Sequence, residues 1–249
     1  IGAAASADGV LDSSADGIVA IGLEACKNAT NAVGTTAIGY RALKEVTSGD
    51  RNMGIGWQAG VDTLTNSDDN VFIGFESGGG AHETSASAKN VAIGNYTLHG
   101  VMNAASNNTA VGHLAGENIT LADHNVLMGH ESGVAITNGS YNTCLGTDCG
   151  ETIQSGHRNV CIGGYADVDV EGRNDTITIG YNIESHDDDD RLRIGGSSHY
   201  LLYDFASGGG VTITSDGRIK KDIKDSDLGL DFIKELRPIK YREKAIRDW

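Results

Sequence analysis

Short apolar runs that end in glycine recur along most of the chain, and Asn90-Val91-Ala92-Ile93-Gly94 is representative. The glycines that close these runs are separated by 17, 17, 18, 20, 18, 17, 17, 17 and 17 residues. They are Gly22, Gly39, Gly56, Gly74, Gly94, Gly112, Gly129, Gly146, Gly163 and Gly180. A fixed period of this kind indicates repeating units that stack on one another to bury their apolar faces.

Polar and small residues also hold fixed places in each repeat. The third residue after the glycine is usually small, as in Ala25, Ala42 and Ala115. The fourth residue before the glycine is asparagine in seven repeats: Asn52, Asn70, Asn90, Asn108, Asn125, Asn142 and Asn159. Asparagine is favoured in turns, and its amide can bond the equivalent amide of a stacked, in-register neighbour. The pattern therefore predicts tight coil corners and a ladder of asparagines.

The apolar runs contain only three or four residues and are rich in Ile and Val, which favours strands over helices. We predict an all-β fold, a parallel β-solenoid or β-roll with about 17 residues per coil, in which stacked strands lie about 4.8 Å apart. The repeat domain is predicted over residues 1–185. Closing strands or a neck are predicted over 186–214, because residues 191–195 and 211–214 alternate polar and apolar side chains.

Composition agrees with a thin solenoid, since only 6% of the 249 residues are aromatic and 35 are glycine. Residues 215–249 contain 10 Lys and Arg against 8 Asp and Glu, which leaves 9 against 26 for residues 1–214. An acidic repeat region repels phosphate backbones and anionic lipid, so we expect no nucleic-acid binding. We also expect no membrane insertion, because no apolar stretch approaches the roughly 18 residues that span a bilayer.

The four cysteines are predicted to be buried thiols. Cys144 and Cys161 occupy a repeat position that is alanine elsewhere, and their spacing to Cys26 and Cys149 does not resemble a metal site. Stacked neighbours could still come within disulfide distance. We expect no cofactor and no metal; His113 and His130 alone would make a poor metal site without a third ligand.

The residue directly after each glycine is often aromatic or histidine. Stacking would place these residues in one column: Tyr40, Trp57, Phe75, Asn95, His113, His130, Thr147, Gly164 and Tyr181. Such a column is typical of an exposed sugar-binding strip or of a seam between chains, and a seam is favoured. The receptor-binding candidates are Trp57, Phe75, His113 and His130. An enlarged loop between Gly74 and Gly94 is a further candidate for specificity.

Residues 215–249 are predicted to be a separate segment, because their charge pattern and chemistry differ from those of the repeats. Ser215 and Lys220 could form a dyad in which a neutral Lys takes the proton of the Ser hydroxyl. Apolar residues at 228, 232, 233 and 236 lie on one helical face, which Asp227 can cap and Pro238 ends. A strand-like alternation follows at 239–241, so a short α/β segment is predicted.

The motif around the dyad closely resembles the start of the endosialidase-type intramolecular chaperone, a self-cleaving C-terminal domain of phage tail fibres and tailspikes. The matching stretches are Ser215-Asp216-Gly217-Arg218-Ile219-Lys220-Lys221-Asp222-Ile223, Phe232-Ile233-Lys234-Glu235-Leu236-Arg237-Pro238 and Tyr241-Arg242. The resemblance implies a homotrimer, with Ser215 as nucleophile, Lys220 as its base and Thr214-Ser215 as the scissile bond. Since domains of this family are longer, the resemblance also implies that residues 215–249 are only the truncated start of the chaperone domain.

The repeats, in turn, resemble the heads of trimeric autotransporter adhesins and the arrays that precede such chaperones in viral fibres. Together these resemblances imply a tail fibre or spike tip of a virion, assembled in the host cytoplasm, that binds a surface glycan or protein of its host. Its only enzymatic activity would be one self-cleavage by the Ser-Lys dyad. A bacterial trimeric adhesin without enzymatic activity is the alternative. A polysaccharide-degrading enzyme is disfavoured, since the repeats show no convergent carboxylate pair.

Overall fold

The computed structural model describes residues 16–62, 66–80, 85–185 and 188–206, and the backbone of 212–214. The chain divides into two units, Ile1–Ser215 and Asp216–Trp249, and all described residues lie in the first. These residues form an all-β parallel solenoid of about ten coils with about 17 residues each, which confirms the predicted architecture and period. Within them, no helix is long and apolar enough to cross a bilayer.

Each coil contributes one short strand to a single long sheet. The strands are β1 Val19–Ile21, β2 Thr36–Ile38, β3 Met53–Ile55, β4 Val71–Ile73, β5 Val91–Ile93, β6 Thr109–Val111, β7 Val126–Met128, β8 Thr143–Leu145, β9 Val160–Ile162, β10 Ala166–Asp167, β11 Ile177–Tyr181, β12 Ile183–Glu184, β13 Arg191–Gly196, β14 Tyr200–Asp204 and β15 Thr212–Thr214. Strands β1 to β9 pair in sequence order, in parallel and in register, and β11 and β13 continue the stack. Strands β10 and β12 form a small second sheet.

The stack ends differently from the way the repeat spacing suggests. Strand β13 pairs in parallel with β11 and places Gly195 opposite Gly180, so the predicted closing strand at 191–195 is in fact one further rung of the solenoid. Among the strands of the described residues, β14 and β15 alone run antiparallel to their neighbours, and they form the closing strands. A shorter last coil explains why the constant spacing stops at Gly180.

The interior is a column of the residues that stand two before each glycine. From the second coil onward this interior column consists of Ala37, Gly54, Phe72, Ala92, Ala110, Leu127, Cys144, Cys161, Thr178 and Arg193, all buried. The small residue three after the glycine is buried in the coil corner, for example Ala115, which agrees with the predicted tight corners. All four cysteines are buried and free, as predicted, and burial raises the pKa of the Cys26 thiol to about 12.

The asparagines form the predicted ladder inside the coil corner, where each is at most 1% exposed. The Asn70 side chain donates to Oδ1 of Asn52 at 3.0 Å and to the carbonyl oxygen of Ser87 at 2.9 Å. Its backbone N–H also donates to the same Asn52 oxygen at 3.0 Å. Each amide thus links its own coil to the coil before it and to the coil after it. The ladder ends in threonine, at Thr176, whose hydroxyl donates to Asn159 Oδ1 at 2.8 Å.

The glycines that close the strands stand where a side chain would collide with the next coil. At Gly112 the φ angle is +140°, and an added Cβ would lie 2.1 Å from the carbonyl oxygen of Gly129. A side chain here would be strained both by the backbone angle and by the contact. The close stacking of coils therefore explains why glycine recurs at this position.

Candidate functional site

The outer side of the parallel sheet is uncharged and mostly apolar along its whole length. It is formed by the residues one and three before each glycine, which we call the apolar strand face: Val19, Ile21, Thr36, Ile38, Met53, Ile55, Val71, Ile73, Val91, Ile93, Thr109, Val111, Val126, Met128, Thr143, Leu145, Val160, Ile162, Ile177, Ile179, Leu192 and Ile194. None of them is charged. Several are well exposed, including Ile21 at 41% and Met128 at 47%.

A second feature is the predicted column of aromatic and histidine side chains beside the glycines. The rings of Tyr40 and Trp57 lie 4.2 Å apart, and the imidazoles of His113 and His130 are stacked at 5.4 Å with an interplanar angle of 13°. Trp57, His113 and His130 are exposed and Phe75 is half-buried. The structure therefore places all four receptor-binding candidates in the one column that the spacing predicts.

Two tyrosines of the column were missed by the sequence analysis. Where the column position is occupied by Asn95, the next residue, Tyr96, supplies the ring instead and lies 5.3 Å from Phe75 and 6.2 Å from His113. Similarly, Tyr165 follows Gly164 and lies 5.8 Å from Tyr181. The sequence does contain a signal for these two tyrosines. Where the residue directly after the repeat glycine is not aromatic, an aromatic residue at the following position can take its place in the column. We call the residues with rings the aromatic column: Tyr40, Trp57, Phe75, Tyr96, His113, His130, Tyr165 and Tyr181.

Two carboxylates surround His130. Its Nε2 lies 3.4 Å from Glu131 Oε1, and its Nδ1 lies 3.4 Å from Asp148 Oδ1. One ligand atom from each of these three residues lies within 4.8 Å of the others. The carboxylates approach different nitrogens of the ring, so they suit two hydrogen bonds to the imidazole better than shared coordination of one ion. Asp148 also raises the pKa of the Tyr165 hydroxyl through its charge and a hydrogen bond.

A shallow groove of ≈ 720 Å³ follows equivalent corner positions of successive coils. It is lined by Gly80, His99, Gly100, Val101, Asn118, Thr120, Ala135, Thr137 and Gln154. Its polar side chains are engaged with neighbouring coils: Asn118 donates to the carbonyl oxygen of Val134 at 2.9 Å and Thr120 to that of Thr137 at 3.0 Å. The groove therefore offers a shape for a ligand but few unused donors.

The proposed self-cleavage site lies largely outside the described residues. Thr214 is the last residue of β15, and only its backbone is described. Ser215, Lys220, the helix predicted around 228–236 and the centre of the enlarged loop, residues 81–84, all lie outside the described residues. The dyad therefore remains a prediction from the sequence motif.

Comparison of the chain with protein-family models, with curated proteins and with solved structures finds no match in any of the three. Functional assignment therefore depends on the geometry described above and on the sequence motifs.

Proposed function

We propose that the chain is the tip of a homotrimeric viral or phage tail fibre that binds a host surface, followed by an intramolecular chaperone that is released by self-cleavage before Ser215. The proposal has three parts: a trimer seam, a receptor-binding surface and a release step. Each is supported by a separate observation.

The apolar strand face carries the proposal. Its two columns of uncharged side chains run over eleven stacked strands, a stripe of roughly 50 Å at about 4.8 Å per strand. Exposed apolar surfaces of this extent mark interaction sites, and parallel sheets are typically covered on both faces. Three copies arranged about an axis parallel to the stack would cover the stripe with identical stripes.

The aromatic column is the proposed receptor-binding surface. If the apolar strand face forms the seam, the column lies around the glycine corner from it and stays accessible. Exposed rings such as Trp57, His113 and Tyr165 present flat faces that suit sugars, and aromatic residues are enriched where binding energy concentrates. The surface would thus contact a host glycan or protein without cleaving it.

The release step rests on the motif that contains Ser215 and Lys220. The Ser215 hydroxyl would attack the carbonyl carbon of Thr214 while the neutral Lys220 amine accepts its proton. That proton would pass to the departing Ser215 nitrogen as the amide bond breaks, which leaves an ester between Thr214 and the Ser215 oxygen. Water would then hydrolyse the ester and release a chain that ends at the Thr214 carboxylate. A chaperone is useful because a slip by one coil keeps most contacts of so regular a stack. Removing it afterwards closes the route back to unfolding and leaves the fibre kinetically stable.

The test uses residues 1–249 followed by the remainder of a chaperone domain of the family that the Ser215 motif resembles. We expect a trimer by native mass spectrometry, with denatured chains that end at Thr214. Ser215→Ala should give an uncut trimer of full-length chains, while the matched variant Ser226→Ala should cleave normally. A monomer would contradict the fibre proposal. A trimer that is never cut would contradict the release step and favour the bacterial adhesin.

A further inference from the structure

The interior column changes character at the end of the solenoid. In the preceding coils it is filled by small or apolar side chains such as Ala110, Leu127 and Cys161. At the last two rungs it becomes Thr178 and Arg193, which are register partners on β11 and β13. Both are buried, with exposures of 0% and 3%. A hydroxyl and a cation therefore replace apolar groups where the interior column ends.

The contacts of Arg193 do not neutralise its charge. Its Nη1 donates to the backbone carbonyl of Glu184, and the guanidinium lies 3.7 Å above the ring of Tyr200. Its Nε and the hydroxyl of Thr178 have no hydrogen-bond partner among the described residues. Within the same residues, no carboxylate forms an ion pair with Arg193. Burying an unpaired cation is unfavourable, so this site has an unmet demand for an anion.

Arg193 lines a cavity at this end of the solenoid. The cavity has a volume of ≈ 150 Å³ and is also lined by Asn182, Glu184 and Ser197. It shares Asn182 and Ser197 with a larger cleft of ≈ 410 Å³, which is lined by Tyr181, Asn182, Gly195, Gly196, Ser197, Ser198 and His199. We call the two together the end cleft. Its larger part falls in the size range of small-molecule sites, about 300–1,000 Å³.

We propose that the end cleft binds a sugar acid, with the carboxylate of the sugar directed toward Arg193. The fork of a guanidinium matches a carboxylate, which would pair with the part of the guanidinium that lines the smaller cavity and supply a counter-charge. Asn182, Ser197 and Ser198 supply donors and acceptors for sugar hydroxyls. The ring of Tyr181, 70% exposed, offers a flat apolar face to the pyranose.

Glu184 narrows the ligand class. Glu184 lines the smaller cavity, and its exposed carboxylate acts on the Arg193 guanidinium only from beyond ion-pair distance. Its negative charge opposes a doubly charged phosphate or sulfate more strongly than a singly charged carboxylate, and it can accept hydrogen bonds from hydroxyl groups. A singly charged acid that also carries hydroxyls, such as a uronic or sialic acid, satisfies both groups. This inference deepens the proposed receptor-binding function and rests on it for its biological role.

The experiment titrates the full chain with glucuronic acid, N-acetylneuraminic acid, the methyl ester of each, and sodium phosphate, with binding followed by ligand-observed NMR. We expect saturable binding of at least one acid, with its ester bound roughly tenfold more weakly or worse because it lacks the charge. Arg193→Met removes the cation. Ser197→Tyr fills the cleft from an exposed loop position and tests the site even if the first variant fails to fold. Arg51→Met, an exposed arginine far along the chain, is the control.

Loss of acid binding in Ser197→Tyr, with binding retained in Arg51→Met, would support the site. The assignment is overturned if neither acid binds, if acid and ester bind equally, if phosphate binds as tightly, or if Ser197→Tyr binds like the unmodified chain. The fibre proposal is tested by a separate measurement, the attachment of the trimer to host cells. Attachment that Ser197→Tyr leaves unchanged would remove the end cleft as receptor site but not the fibre proposal.

Discussion

The side-chain amide of Asn108 donates to Oδ1 of Asn90, one coil earlier, at 3.2 Å. The same amide donates to the carbonyl oxygen of Ala122 at 2.8 Å, and the Asn108 oxygen accepts from both nitrogens of Asn125 at 3.0 Å. Asn108 is fully buried. One side chain therefore satisfies buried groups in three consecutive coils and fixes their register.

Asn108→Asp should strongly destabilise the solenoid although it preserves the shape of the side chain. The variant loses both amide donors and places a carboxylate against the oxygens of Asn90 and Ala122. Each buried group left unpaired is worth on the order of 1–3 kcal/mol, and the charge adds to this. Asn107→Asp, at the exposed neighbouring position, should change stability by less than about 0.5 kcal/mol. The measurement is the urea midpoint of each variant; equal midpoints would contradict a structural role for the ladder.

Gly112→Ala should be among the most damaging single-methyl additions in the chain. Its Cβ would lie 2.1 Å from the Gly129 carbonyl oxygen at a φ angle of +140°, so the coils would have to move apart. We expect a loss of about 4 kcal/mol or more, which is exceptional for a point mutation. At Gly172 the nearest atom to an added Cβ is Ser155 Oγ at 3.6 Å, so Gly172→Ala should be nearly neutral. The melting temperatures of the two variants test this prediction. Similar melting temperatures would show that the glycine column does not set the spacing of the coils.

The fold was predictable because the repeat supplies the same evidence many times. The positions of Ile93, Gly94 and Asn90 recur with little variation, and in-register stacking turns each recurrence into a spatial column. The buried ladder follows from this register, because Asn70, Asn90 and Asn108 can only meet if the coils align. Residue identity and spacing therefore determine the strand, the corner and the interior of each coil.

Features that break the period were not predictable in the same way. Tyr96 and Tyr165 enter the aromatic column from the adjacent position, and Arg193 belongs to a shorter last coil that the glycine spacing does not reveal. The sheet also has apolar residues on both sides, so alternation alone cannot tell which side is internal. Ser215 and Lys220 stay predictions, because they lie outside the described residues.

Stability should fall as the pH rises through the titration of Asp167. Burial raises the pKa of this carboxyl from 3.8 to about 6, even though the backbone N–H groups of Thr152 and Val168 donate to it. Between these two values the folded chain retains a proton that the unfolded chain has released, so raising the pH favours unfolding. The difference corresponds to roughly 3 kcal/mol, which is lost between about pH 4 and pH 6 and then stays lost.

Urea unfolding of the unmodified chain and of Asp167→Asn at several pH values between 4 and 7 tests this prediction. The stability of the unmodified chain relative to the variant should decline as the pH rises. Asp175→Asn is a control of opposite sign, because Arg158 lowers the pKa of Asp175. That carboxylate stabilises the fold above its unfolded pKa, and the benefit disappears as the pH falls. A pH-independent difference for Asp167→Asn would contradict the assigned burial effect.

Met128→Glu should weaken or abolish self-association if the apolar strand face is the trimer seam. Met128 lies on β7 and is 47% exposed in the single chain. In a trimer closed on this face, three glutamates at equivalent positions would be buried together without counter-charges, at a cost of several kcal/mol for each ion. Leu121→Glu makes the same chemical change at a 53% exposed residue outside the apolar strand face, and it should leave the assembly intact.

Native mass spectrometry over a dilution series should therefore give monomers of Met128→Glu at concentrations where Leu121→Glu remains trimeric. If both variants stay trimeric to the same dilution, the seam lies elsewhere and the aromatic column becomes the surface to test by the same substitution, at Trp57.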